Sequence, residues 1–206
     1  MRFPKGYAGV KKLFTSEILN IISTLLFFVT SIIIIIFSKK ISNPNYLPFV
    51  VIPMMAVGLT ALIAFIMQLV GLNQARKDDP YFRTAFIFVF VGVAASIVSF
   101  LTGGTFGNIF ESISAVASLI VSVYTILGIY DFADEMGNTN VMLHGKIALF
   151  VGATSFAVSV IFHIIPVFIP RIEYIFDLFS SVLEFVAYFV FLIYLGRAKN
   201  MLSEKA

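Results

Sequence analysis

The sequence predicts an all-α integral membrane protein: one domain over residues 1–206, built as a bundle of six transmembrane helices. Two observations carry that prediction. The chain is 60% hydrophobic and only 12% charged, with a mean hydropathy of +1.01; a soluble domain of this size needs more charge on its surface. Its apolar residues also gather into six stretches, each about 20 residues or longer, the length a helix needs to cross a hydrocarbon core.

Residues 1–17 come first, as a cytoplasmic or interfacial segment. Phe3, Tyr7, Val10 and Phe14 fall at helical spacing with Arg2, Lys5, Lys11 and Lys12 between them. This suits a short helix lying in the membrane surface, basic side toward anionic headgroups. Pro4, Gly6 and Gly9 weaken it. Thr15 or Ser16 is placed to cap the helix that follows, with Glu17 favourable in its first turn. The first apolar run is followed by Phe37-Ser38-Lys39-Lys40, with no small-residue cleavage site, so it reads as a span and not as a cleavable signal.

The spans are Ile18–Phe37, Phe49–Leu72, Phe82–Leu101, Ile109–Tyr130, Ile147–Phe168 and Ile172–Leu195. The β-branched run Ile32–Ile36 would favour a strand in water. In lipid a lone strand leaves its backbone unsatisfied, so helix is expected. Pro48 and Pro53 sit near the start of the second span, where proline is tolerated. Turns are marked by Asn43-Pro44-Asn45, Asp78-Asp79-Pro80, Gly103-Gly104, Gly137-Asn138 and Pro170. Residues 196–206 form a tail.

Orientation follows from the basic residues. Eleven of the fourteen Lys and Arg fall on the side of the two termini; Lys39, Lys40 and Arg171 fall on the other. Both termini are therefore expected in the cytoplasm, in a multi-pass protein of a cell membrane that fits a bacterial cytoplasmic membrane. The net charge of +3 has the same origin and gives no reason to invoke nucleic acid. Trp is absent, so Tyr7, Tyr46, Tyr81, Tyr130, Tyr174 and Tyr194 are expected to form the interfacial belt, while Tyr124 and Tyr188 lie deeper and need hydroxyl partners. The even-numbered spans leave the membrane through similar stretches, with Ala75, Ala133 and Ala198 recurring. That recurrence fits three pseudo-repeated helical hairpins, and shared chemistry at helix exits would produce it too.

With no cysteine, disulfides and thiol chemistry are excluded. Two histidines, His144 and His163, exclude a multi-histidine site within one chain. No metalloprotease or nucleophile-elbow motif is present, which argues against an enzyme, and no motif names a cofactor. Gly103-Gly104-Thr105-Phe106-Gly107 lacks the Lys-Ser/Thr and the preceding strand of a phosphate loop and reads as a tight turn. The rows Ala56/Thr60/Ala64, Gly92/Ser96 and Ala153/Ala157 read as helix contacts.

The candidate site centres on the last span, which carries Glu184 near its midpoint. An acid there is costly in lipid and must face protein, water or a ligand. Glu173, Asp177, Ser180, Ser181, Glu184 and Tyr188 share one helical face. Glu111, Ser114, Ser118, Ser122 and Thr125 form a matching face on the fourth span. Two such faces turned inward would line a polar cavity; packing through hydrogen-bonded serines explains the serine ladder equally well. A hairpin turning at Pro170 puts His163 level with Asp177, with Pro166 freeing a nearby carbonyl. The residues expected to bind a ligand or ion are thus Glu184, Asp177, His163, Glu111, Ser118, Ser122 and Tyr188.

These features suggest a protein that handles a small solute or ion, as a transporter or a membrane-embedded binding subunit. One alternative is an interaction or scaffold subunit with partner membrane subunits. Another is a lipid-modifying enzyme using Asp131, Asp134 and Glu135 with Mg²⁺, although acids at helix exits are usually only solvated. Beyond solute and subunits, the partner is the lipid bilayer.

Overall fold

A computed structural model describes residues 3–37, 47–168 and 173–204, with the side chains at 37, 47, 162–168, 173–178 and 204 left undescribed. The described residues are helical, with no strand among them. The helices are α1 (Pro4–Phe37), α2 (Leu47–Ala75), α3 (Tyr81–Thr102), α4 (Gly104–Glu135), α5 (Thr139–Phe168) and α6 (Glu173–Glu204). All six contain stretches long and apolar enough to cross a membrane, as a multi-pass membrane protein requires.

Several helices are longer than a bilayer demands. At about 1.5 Å per residue, the 34 residues of α1 reach about 50 Å against a hydrocarbon core of about 30 Å. The excess lies at the end that holds both termini, and the packed core forms there. Val10, Leu13, Leu72, Phe82, Ile129, Phe132, Tyr194 and Leu195 are all buried in one cluster. Toward the opposite end the same helices expose apolar side chains, including Ile35, Phe100, Leu101 and Phe106, a surface suited to lipid.

Consecutive helices pair most extensively, α1 with α2, α3 with α4, and α5 with α6; α2 with α3, α4 with α5, and α6 with α1 then close a ring. Small and hydroxylated residues set each register. On α1/α2, the Ser16 hydroxyl donates to the Ala64 carbonyl at 2.7 Å and Ser23 to Val57 at 3.2 Å. Gly9 lies so close to Gly71 and Ala75 that an added Cβ would meet backbone atoms at 2.6–2.7 Å. On α3/α4, Ser96 and Ser114 share a hydrogen bond of 2.8 Å and Gly92 faces Ala117. On α5/α6, Gly145 packs on the Tyr194 ring and Ser180 donates to Ser159 at 3.0 Å, the register expected of a hairpin turning near residue 170. Such contacts replace the hydrophobic drive that lipid removes.

Four expectations are corrected. The N-terminal segment is continuous with the first span, not a separate surface helix. Thr15 bonds back to the Lys11 carbonyl and Ser16 bonds across to α2, so neither caps anything. Val10 is buried and Phe3 stacks on Phe132 with ring centroids 4.7 Å apart; the apolar face of this segment meets protein. Tyr194 is fully buried and donates to the Ile126 carbonyl at 3.1 Å, because α6 continues well past it to Glu204, so it is a core residue and not a belt residue. Ala153 and Ala157 are exposed, and α5 meets α6 through Ser155 and Ser159 on its other side. In the turn at Asp78-Asp79-Pro80, Asp79 is buried, only 3% exposed. The turn at Gly103-Gly104 stands, both residues having positive φ (60° and 55°), which glycine adopts at little cost.

Candidate functional site

Helices α4, α5 and α6 line an open cavity of about 410 Å³. α6 contributes Glu184, Ala187, Tyr188 and Phe191, α4 contributes Ser118, Leu119, Ser122 and Ile126, and α5 contributes Gly152, Ser155, Phe156 and Ser159. Helical periodicity puts Glu184, Tyr188 and Phe191 on one face of α6, four and seven residues apart, and Ser118 and Ser122 on one face of α4. Glu184 and Tyr188 of one anticipated face and Ser118 and Ser122 of the other thus line the same cavity.

Glu184 is itself exposed, and two hydroxyls hold its carboxylate. Ser159 of α5 donates to Oε1 at 2.8 Å, and Ser180, one turn before Glu184, approaches the same oxygen at 3.3 Å. Ser180 also bonds Ser159 at 3.0 Å and is nearly buried. Both hydroxyls address Oε1, so neither occupies Oε2. Hydrogen bonds donated to one carboxylate oxygen fix the rotamer of the group. Deeper in the cavity wall, Tyr188 turns its hydroxyl toward α1 and donates to the Glu17 carbonyl at 2.7 Å. Its ring remains in the cavity wall while its polar tip is satisfied, which ties α6 to α1.

A second cavity, of about 350 Å³, lies on the other side of α4, among α2, α3 and α4. Gln68, Ser96 and Ser114 line it, and so do Ser118 and Ser122. The serine ladder of α4 therefore borders both cavities. Its upper member, Ser114, makes the packing bond to Ser96; Ser118 and Ser122 face cavity space. The sequence offered packing and cavity lining as competing accounts of this ladder; Ser114 does both, while Ser118 and Ser122 line cavity space, Ser122 also donating to the Ser118 carbonyl at 3.2 Å.

The remaining candidates fall elsewhere. Glu111 is exposed near the start of α4 and lies outside the lining of both cavities. The side chains of His163 and Asp177 lie outside the described residues, so the expected pairing of the two falls there as well. Ser155 and Ser159 were missed by the sequence reading. The signal was present, two serines one turn apart on α5, but the alanines at 153 and 157 with the same spacing drew the reading. Glu17 was also underrated. It is 9% exposed and bonded by Asn20 at 3.4 Å, a buried acid on the far side of Tyr188.

At the end holding the termini, Asp78 and Asp79 organise the 76–80 loop. Asp78 accepts the Gly6 N–H at 2.7 Å, tying the start of α1 to this loop. Asp79 accepts the Tyr81 N–H at 2.7 Å. Burial pushes the Asp79 carboxyl up to about 7, helped by its hydrogen bond with the Asp131 carboxyl and opposed by the Tyr81 N–H. Two carboxyls that share a proton behave as a unit, not as two free anions. No group of three His, Cys, Asp or Glu side chains able to hold a metal occurs among the described residues. Through their hydrogen bonds Asp78 joins the start of α1 to the 76–80 loop, and Asp79 joins that loop to α3 and α4.

Comparison of the chain with protein families, with curated proteins and with solved structures found no match. The functional reading accordingly rests on the geometry of the site.

Proposed function

We propose that this chain handles a small solute or ion within the membrane, as a transporter or as the membrane-embedded binding subunit of one. The observation that carries the reading is Glu184: a mid-helix carboxylate, oriented by two serines, on the wall of a cavity large enough for a small molecule. An ionisable group at that depth is expensive to keep, and a ligand that uses it explains its retention. Cavities of about 300–1,000 Å³ with few polar groups in an apolar wall are the usual form of small-molecule sites.

The fuller proposal places both termini in the cytoplasm of a bacterial cell membrane, on the distribution of Lys and Arg. It treats the chain as three repeated hairpins. Parallel burial at the even-helix exits supports this, since Leu72 with Ala75, Ile129 with Ala133, and Leu195 with Ala198 are all fully buried. Asp177 and His163, further along the α5/α6 hairpin than Ser159 and Ser180, would form an outer gate. Glu111, outside the lining, has no part in it.

The test is accumulation by vesicles of purified protein. A panel of radiolabelled amines, amino acids and inorganic cations is offered to wild type and to Glu184→Gln. Wild type accumulates at least one of them and Glu184→Gln does not, with both proteins equally folded by circular dichroism. Equal accumulation by both removes the reading, as does a wild type that neither accumulates any of the panel nor binds any of it at equilibrium.

A further inference from the structure

We propose that the occupant of the α4–α5–α6 cavity is an organic ammonium ion, a protonated amine carrying an apolar body. This rests on the functional reading above and specifies the substrate class of the same site. Three observations lead to it. The first is charge: Glu184 is the acid among the described lining residues, and no described Lys, Arg or His lines the cavity with it. A carboxylate without a cationic neighbour selects a cation and repels an anion.

The second is the way the carboxylate is held. Ser159 donates to Oε1, and the single Ser180 hydroxyl proton is shared between Ser159 and that same oxygen, so a ligand N–H can approach Oε2 without displacing either. Ser118, Ser122 and Ser155 add hydroxyl oxygens to the same cavity. An ammonium group has several N–H donors and no acceptor. One bond to Oε2 and others to serine oxygens would satisfy it.

The third is the remainder of the wall. Leu119, Ile126, Phe156 and Phe191 are apolar, and the cavity of about 410 Å³ greatly exceeds a bare ion. A hard divalent cation prefers about six or more oxygen ligands, largely carboxylates and carbonyls; one carboxylate among serine hydroxyls and apolar side chains is a poor match. The same wall suits an aliphatic or aromatic body, and the Phe156, Phe191 and Tyr188 rings can stabilise a nearby cation through their faces. Recognition thus divides between a charged end at Glu184 and an apolar body among the rings.

Calorimetric titration of the detergent-purified full chain tests this, with 2-phenylethylammonium as the probe. Its neutral counterpart 2-phenylethanol, the anion 3-phenylpropanoate, and Na⁺, K⁺ and Mg²⁺ serve as comparators. The amine is expected to bind at least tenfold more tightly than the alcohol, with the anion not binding and the inorganic cations not competing at matched ionic strength. Glu184→Gln should remove the preference for amine over alcohol, and Phe191→Ala should weaken the amine while retaining that preference. The two variants act on different ends of the ligand, so a general loss of fold cannot imitate the pattern. Equal binding of amine and alcohol, an unchanged preference in Glu184→Gln, or displacement by an inorganic cation would overturn the proposal. If Glu184→Gln abolishes vesicle accumulation of some other solute while the amine does not bind, the occupant assigned here is wrong and the broader function stands.

Discussion

Gly9→Ala tests whether α1 and α2 are held by backbone contact. The added Cβ would lie 2.6 Å from the Gly71 carbonyl oxygen and 2.7 Å from the Ala75 nitrogen and Cβ. The first two are backbone atoms, so no rotamer change relieves the clash and the helices must separate. Alanine gains about 1 kcal/mol over glycine in helix propensity. Overpacking costs about 1–3 kcal/mol, and rigid neighbours on the facing helix put this site at the upper end. The expected net loss is about 2 kcal/mol by these two terms. Gly58 on α2 is the internal control, since a Cβ there meets nothing within 4 Å; Gly58→Ala should be neutral or gain up to about 1 kcal/mol. Thermal and SDS-induced unfolding in detergent, followed by circular dichroism, measure both. If Gly9→Ala is as stable as Gly58→Ala, the close approach of α1 and α2 is not what holds this hairpin.

Three further outcomes follow from the hydrogen-bonded joints. Asp79 keeps its proton to about 7 in the fold, against 3.8 for an ordinary aspartate. The folded chain therefore binds the extra proton in that window, so this group's stabilisation is lost as pH rises from about 4 to about 7 and stays lost above it. Asp79→Asn mimics the protonated form; it should leave stability nearly unchanged only below about pH 4, raise the melting temperature increasingly from there to pH 8, and flatten the profile between. An unchanged slope from pH 5 to 8 would show that Asp79 does not titrate there. Asp78→Ala removes the acceptor for the Gly6 N–H and should make the first residues of α1 cleavable by limited proteolysis while the melting temperature falls only slightly; equal cleavage rates would refute the tie. Tyr188→Phe deletes the bond to the Glu17 carbonyl and should cost about 1 kcal/mol, read as a lower midpoint in SDS unfolding. No loss would mean that α6 and α1 are joined by packing alone.

How much of the site could be read beforehand depends on which contacts lie along one helix. Glu184, Tyr188, Ser118 and Ser122 were legible because each pair shares a helical face, and helix period is a property of local sequence. Ser159, which donates to Glu184 from α5, was not legible, because its importance depends on the rotation of one helix against another. Glu111 was misjudged for the same reason: its spacing from Ser114 and Ser118 fits the face, yet it lies nearer the helix start than the cavity extends. Asp78-Asp79-Pro80 was legible as a turn, but the burial of Asp79 where the α2–α3 loop and the end of α4 come together was not, because it depends on how those helices approach.

Composition and hydropathy by themselves determined that the chain forms six long apolar helices, because a segment in lipid must satisfy its backbone internally and only a helix does so alone. They also marked Glu184 as anomalous, because the cost of a charge in lipid does not depend on the fold. Only the tertiary structure decided that the packed core lies in the helix extensions beside the termini, that α1 is one continuous helix from Pro4, and that the α4 serines serve both packing and cavity lining. Those outcomes depend on interhelical distance and rotation, which side chains far apart in sequence set together.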